Sequence, residues 1–316
     1  MVGVAVAFAV AVVTGLFVRR VGPSLGYEDR PDDPELKVHT LPAVPLGGVA
    51  VFVGMHAGLV VADRFDIALL VSTSVLLLLG LADDRLGLDP KVRLAVEVIA
   101  GVILAVGILE EAGVAVAVLT ALLVVVSVNA VNLFDGLDGL AGSTALLSAA
   151  GAAVFAVNRA AGAVPALIVV AALGGFLVFN WHPAKLFLGD NGAYFVGLTL
   201  VALYAFPSDG IPDIIVGTGL LGLFLVDLVS TVLRRRIAGT PMFVGDRSHI
   251  YDRIHAQGRP VPQVVLIVAV LHVAVVGAVL AADWLLAPGW AATATVAVGI
   301  AAVAIATRGA GQATKK

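Results

Sequence analysis

The run Asn129-Ala-Val-Asn-Leu-Phe-Asp-Gly-Leu-Asp-Gly139 puts two amides and two carboxylates at three-residue steps, directly after ten almost purely apolar residues. If a helix continues into the run, Asn129, Asn132, Asp135 and Asp138 lie along one side of its end. Such groups at the mouth of an apolar helix are costly unless they face water, a cation or a polar ligand. A calcium-loop reading of Asp135 to Gly139 fails, because the spaced oxygen ligands and the closing Glu are missing.

Four further constellations share this character. In Asp83-Asp84-Arg85 the adjacent carboxylates point about 100° apart on a helix, so each can serve a different partner. Their like charges raise one pKa, which suits a proton acceptor. The run Asn180-Trp-His-Pro-Ala-Lys185-Leu-Phe187-Leu-Gly189-Asp190-Asn191-Gly192 presents a carboxylate at a glycine-flanked turn, just where an apolar segment begins. A helix amino terminus there favours phosphate and its metal. Within that run, Trp181 fits the interfacial belt, and His182 reads as a packing residue rather than a ligand.

Tyr27 to Gly48 carries Glu28-Asp29-Arg30-Pro31, then Lys37-Val-His39-Thr40, then Pro45-Leu-Gly47-Gly48. The longest polar segment holds Arg234-Arg235-Arg236 and Asp246-Arg247-Ser-His249-Ile-Tyr251-Asp252-Arg253. The arginine triplet reads as a charge anchor at the membrane surface. Arg247, His249 and Arg253 can fold over anionic groups. Asp227 lies inside an apolar stretch and needs a partner there. His56 and His272, isolated among apolar residues, read as hydrogen-bonded packing residues.

The elements that must position these groups are membrane helices. Of the 316 residues, 60% are hydrophobic and 13% charged, with a mean hydropathy of +1.06; soluble domains carry roughly 25% charged residues. We expect an all-α polytopic integral membrane protein with about eleven transmembrane helices, or ten. The spans fall near 2–18, 45–62, 66–82, 94–109, 113–129, 140–157, 163–180, 192–206, 211–233, 263–281 and 289–306. No β-type alternation appears, which disfavours an outer-membrane barrel.

Arg19 and Arg20 follow the first apolar run, so that run reads as an uncleaved helix rather than a signal peptide. Segments 19–44, 83–93, 130–139, 181–191, 234–262 and 307–316 hold 17 of the 19 Lys and Arg residues. By the positive-inside rule these are cytoplasmic, with the amino terminus outside. The single domain 1–316 then carries its active-site loops on the cytoplasmic face and ends in a cytoplasmic tail, 307–316. Cysteine is absent, which removes disulfides and thiolate metal sites.

Asp- and Asn-rich clusters with Arg and His nearby, all on one face, imply a Mg²⁺-dependent site handling phosphate. Mn²⁺ is a plausible substitute. A site at the lipid boundary suggests that one substrate is itself a lipid phosphate, and nothing points to nucleic acid. An ion-coupled secondary transporter is the rival class. Transporter acids tend to lie at the midplane near broken helices, whereas these sit at span ends.

The chain resembles the polyprenyl-phosphate N-acetylhexosamine-1-phosphate transferases, polytopic enzymes that include the phospho-MurNAc-pentapeptide translocases and the dolichol-linked GlcNAc-1-phosphate transferase. The resemblance runs through His39 with Pro45-Leu-Gly47-Gly48, Asp83-Asp84, Asn129 to Gly139, Pro183 to Asp190, Asp227, and Asp246-Arg247-Ser-His249. It implies transfer of a sugar-1-phosphate from a UDP-sugar to a polyprenyl phosphate, undecaprenyl or dolichyl, in the plasma membrane. UMP is released, in the first membrane step of glycan assembly, and a homodimer is compatible with the family.

By position, Asp190 would be the principal Mg²⁺ ligand with Asp138 near the metal. Asp83 would accept the lipid phosphate proton, and Asp84 would support the metal region. Asn180 and Phe187 would contact the nucleoside base. Arg247 and His249 would hold the diphosphate or sugar, His249 as a catalytic group. Lys37, His39, Asn129, Asn132, Asp135, Lys185 and Arg253 complete the substrate-binding set. Many bacterial members show His-x-His-His in the last loop, whereas this chain has His249-Ile-Tyr251-Asp252. That departure argues against MurNAc-pentapeptide as donor and makes UDP-GlcNAc the simplest expectation.

Overall fold

The computed structural model describes residues 1–29, 42–239 and 247–285. Lys37, His39, Asp246, the expected span 289–306 and the tail 307–316 lie outside the described residues. Those described form eleven α-helices and no β-strand: α1 Val2–Val21, α2 Gly47–Val61, α3 Ile67–Leu86, α4 Pro90–Phe134, α5 Leu140–Asn158, α6 Val164–Asn180, α7 Gly189–Ala205, α8 Ile211–Leu220, α9 Gly222–Ala238, α10 Ile250–His255 and α11 Val261–Leu285.

Five are long and apolar enough to cross a bilayer: α1 with the 3₁₀ turn that extends it to Leu25, α3, α4, α5 and α11. The α8–α9 pair is a sixth if taken as one span, and α2 and α6 are apolar but shorter. Large apolar side chains such as Phe17, Leu78, Val106, Val118 and Leu266 face outward, as lipid contact requires. The protein is a multi-pass membrane protein.

The expected spans 94–109 and 113–129 are the two arms of α4, a 45-residue element that folds back at Gly113. Gly113 has φ 81°, which a residue without Cβ adopts at no steric cost. Gly101 in the first arm then rests against the backbone of Ala121 in the second.

The expected ninth span, 211–233, is bent in its middle. It is broken at Leu221 into α8 and α9, which meet at 83°. Ten residues rise only about 15 Å, half the hydrocarbon thickness. A break inside an apolar core frees backbone N–H groups, and His272 of α11 takes one of them. Its Nδ1 accepts from Leu223 N at 3.4 Å, while Nε2 meets Ser148 Oγ at 2.9 Å. His56 likewise hydrogen-bonds Thr73 Oγ1 at 3.0 Å, so both isolated histidines have the packing role expected of them.

Helix α7 is the central post, with fourteen of its seventeen residues buried. It packs against α2, α3, α4, α5 and α8. A helix that is apolar nearly all round can hold its terminus in one place only if neighbours enclose it. The amino terminus of α7 meets the carboxyl ends of α3, α4 and α6 and the start of α2 at one end of the bundle. Four of the five polar constellations converge there.

Candidate active site

Asp190 occupies the first turn of α7 and is positioned from two sides. Asp84, in the last turn of α3, accepts Asp190 N on Oδ1 at 2.9 Å. Its Oδ2 accepts Asn191 N at 3.1 Å and Asn191 Nδ2 at 2.6 Å. A carboxylate from one helix thus caps the amino terminus of another, where the helix dipole favours negative charge. Gly80, one turn before Asp84, leaves no room for a Cβ against the Asp190–Asn191 backbone, so α3 can approach closely enough to cap. Asn132 in the last turn of α4 donates Nδ2 to Asp190 Oδ1 at 2.6 Å.

Asp83 and Asp84 diverge, as helix geometry predicts. Asp83 is 6% exposed and is bound by donors other than those of Asp84. Its Oδ1 accepts Leu88 N at 2.7 Å, and its Oδ2 accepts Tyr194 Oη at 2.5 Å and Arg93 Nη1 at 2.9 Å. Three protein donors therefore occupy the carboxylate expected to take a proton from substrate. Arg93 and Tyr194 escaped sequence reasoning, although Tyr194 stands one turn beyond Asp190 on α7.

The turn after α4 supplies the other wall. Helix α4 ends at Phe134, so Asp135 sits at its C-cap and Asp138 lies beyond it. The expected single stripe through all four polar residues is thereby corrected: helical geometry holds for Asn129 and Asn132 only. Asn129 does not reach the cleft, because its Nδ2 donates to Glu97 Oε2 at 2.6 Å across the α4 hairpin. Asp138 Oδ2 accepts Ala184 N at 3.0 Å and pairs with His182 Nδ1 at 2.8 Å. The packing role assigned to His182 is corrected too, since its imidazole lines the cleft.

Asn180 staples the same region. Its Oδ1 accepts Gly139 N at 3.0 Å and its Nδ2 donates to Leu186 O at 2.9 Å. The loop before α7 pairs in turn with the entrance to α2: Phe187 N donates to Val44 O at 2.9 Å and Gly47 N to Phe187 O at 2.8 Å. These bonds bring the Pro45–Gly48 and Asn180–Asp190 motifs together.

The result is a cleft of about 350 Å³. Asp29, Asp84, Asn132, Asp135, Asp138, Asn180, His182, Phe187 and Asp190 are among its lining residues. The lining holds five aspartates and, among the described residues, neither lysine nor arginine. Lys185 is exposed outside it. Burial and the neighbouring carboxylates of Asp190, Asp84 and Asp138 push Asp135 up to about 8, so it resists ionisation unless positive charge arrives.

The fifth constellation forms a separate cluster beside this one. Asp227, fully buried in α9, accepts Ile250 N at 2.9 Å and His249 Nδ1 at 2.5 Å, which supplies the partner it required. Arg253 Nε donates to Ser248 O at 3.0 Å, and Arg247 Nη2 lies 3.7 Å from Asp252 Oδ1. The arginine triplet is not a uniform anchor: Arg236 is exposed, whereas Arg235 is only 6% exposed and belongs to the packed interior.

Among the described residues no three His, Asp or Glu side chains converge into a ready-made metal cage. The donor set still fits a hard divalent cation of the Mg²⁺ kind, which takes one or two carboxylates and completes its shell with water and substrate phosphate.

Fold and cleft together define a polytopic helical membrane protein with an acidic, oxygen-rich site at its helix ends. The model of glycosyl transferase family 4 matches residues 67–206. A probable undecaprenyl-phosphate N-acetylglucosaminyl 1-phosphate transferase of Bacillus subtilis is 31% identical over 286 residues, covering 82% of this chain and 79% of that protein. The decaprenyl-phosphate N-acetylglucosaminephosphotransferase of Mycobacterium leprae is 31% identical over 290 residues, covering 74% and 72%. The phospho-N-acetylmuramoyl-pentapeptide-transferase of Anoxybacillus flavithermus is 36% identical over only 126 residues, 39% of this chain and 38% of that protein. The chain belongs to glycosyl transferase family 4.

Proposed function

We propose that the protein is a phosphoglycosyltransferase that moves GlcNAc-1-phosphate from UDP-GlcNAc to a polyprenyl phosphate, releasing UMP. The observation that carries this reading is Asp190, capped by Asp84, oriented by Asn132 and facing a cleft walled by carboxylates. Extended similarity to GlcNAc-phosphate transferases, against a short match to a pentapeptide transferase, supports GlcNAc as the donor sugar. The concentration of 17 of 19 basic residues in alternate loops supports a cytoplasmic site in the plasma membrane.

In this reading Asp190 and Asp135 would hold Mg²⁺, and Asp138, the second ligand that the resemblance implied, would stand beside them because its Oδ2 is taken by Ala184 N and His182. When bound, the ion supplies positive charge to the diphosphate and to the departing UMP. Asn132 keeps Asp190 Oδ1 fixed and leaves its second oxygen for the ion. Phe187 and the Asn180 staple form the nucleoside end of the cleft, with His182 held there by Asp138.

An oxygen of the lipid phosphate attacks the sugar-bearing phosphorus, and the bond to the bridging oxygen of UMP breaks. With a second pKa of about 6, a phosphate monoester is roughly nine-tenths dianion at pH 7. The nucleophile then needs no base, which agrees with three protein donors already holding Asp83. Asp83 and Asp84 act here as positioning residues.

Purified protein given UDP-[¹⁴C]GlcNAc and polyprenyl phosphate should form labelled lipid that requires Mg²⁺ and reverts with added UMP. Absence of labelled lipid with every UDP-sugar offered would sink the reading.

A further inference from the structure

Where relatives in the resembled family carry a second histidine, this chain has Tyr251. The residue is 4% exposed, as is His249. Its ring lies parallel to the His249 imidazole, with centroids 5.3 Å apart and planes within 3°. On the other side it meets Phe134 edge-on at 5.6 Å. Its hydroxyl donates to Leu133 O at 3.1 Å, in the last turn of α4. Gly136, in the turn that carries Asp135, leaves the notch that the phenol ring fills, and a Cβ at that position would collide with it.

We propose that Tyr251 is a positioning residue for transfer: its ring fixes the plane of His249, and its hydroxyl ties that imidazole to the turn bearing Asp135. The geometry has two independent parts. Asp227 fixes the imidazole along its edge, through the 2.5 Å contact to Nδ1. Thr231 Oγ1 lies 3.4 Å from the same nitrogen, and the parallel phenol covers the face of the ring. The latch to Leu133 O then couples the short helix α10, which is only six residues long, to the wall of the cleft.

Tyrosine suits this task better than histidine would. Burial and the carboxylates of Asp252, Asp227 and Asp135 hold its phenol well above its ordinary range, so it remains a neutral donor across the working pH. A buried histidine in its place could gain charge and would donate to Leu133 O in only one tautomer.

The inference rests on the proposed transfer and on His249 serving it, and the test separates the two. Tyr251→Leu removes stack and latch, and should lower kcat about 10²-fold, the effect of a small misplacement, while KM for UDP-GlcNAc changes less than about threefold. Tyr251→Phe keeps the stack and should lose less than about fivefold. In a His249→Ala background the further loss from either change should shrink below about threefold, because nothing is left to position. If Tyr251→Leu does not insert, Tyr251→Met, which likewise removes both stack and latch, carries the same cycle.

Losses that multiply fully in the His249→Ala background would overturn the inference while leaving the transfer reading intact. A readout without turnover completes the separation. In ¹⁵N-histidine-labelled protein the His249 ring signals should shift in Tyr251→Leu, and unchanged signals would also overturn it.

Discussion

Asp84→Asn tests the capping contact at constant shape, because it changes one oxygen to NH₂. The native carboxylate receives three hydrogen bonds, one on Oδ1 from Asp190 N and two on Oδ2 from Asn191. An asparagine has one acceptor oxygen. In its better orientation that oxygen keeps the two Asn191 donors and turns its NH₂ against Asp190 N, donor to donor. One charge-assisted hydrogen bond is lost, at about 1.5–3 kcal/mol. The interaction of the negative charge with the α7 dipole goes with it, at about 0.3–1 kcal/mol.

The sum, about 2–4 kcal/mol, is roughly 30- to 1,000-fold in rate if it is expressed fully in the transition state. The assay is initial-rate formation of labelled polyprenyl-diphospho-sugar, alongside thermal unfolding in detergent. The expected result is a kcat loss in that range with the protein folded and the KM for lipid little changed. Activity within about threefold of wild type would refute the argument that this cap aims Asp190.

Three further outcomes follow from the same geometry. Asp190→Asn should abolish most turnover while insertion is retained, and near-normal activity would remove Asp190 from the metal role. Asp135 is a neutral acid below about pH 8 until a cation displaces its proton, so Mg²⁺ affinity measured calorimetrically should rise between pH 6 and 8 by up to about tenfold per unit and flatten above; pH-independent affinity would exclude Asp135 as a ligand. Arg159→Ala should destabilise the protein by about 3–5 kcal/mol, since it strands Asp213 and Asp283, now held at 2.6 and 2.9 Å at the other end of the bundle. An unchanged melting temperature would count against that estimate.

Much of the site was legible because its residues are costly in lipid unless used. Asp190 at a glycine-flanked helix start and the divergent Asp83-Asp84 pair follow from helix geometry alone. What stayed hidden depends on partners far apart in sequence. Asn129 looked like a site residue until the α4 hairpin turned it toward Glu97, 32 positions earlier. His182 looked like a packing residue because its partner, Asp138, lies 44 positions away. The break at Leu221 left no trace in hydropathy, which averages across it, and Gly222 is one of 35 glycines. Charge counting placed Arg235 at the surface because a count carries no direction, whereas the residue faces inward.

The charge arrangement also explains why carboxylates and basic groups occupy different elements. Five aspartates line the cleft, yet both proposed substrates are anionic. Two like charges 4 Å apart repel by about 4 kcal/mol at an effective dielectric constant of 20. A diphosphate therefore enters such a cleft only with a cation, and the rise of Asp135 to about 8 marks the same unmet charge from the protein's side. Lysines or arginines set among the aspartates would pair with them and block the ion. Two basic groups are instead tied off nearby, Arg247 against Asp252 and Arg253 against Ser248, in the segment whose short helix Tyr251 latches to the cleft wall. In the proposed transfer the acidic floor would hold the ion and the tethered basic segment would meet the phosphate, and keeping them on separate elements stops each from neutralising the other.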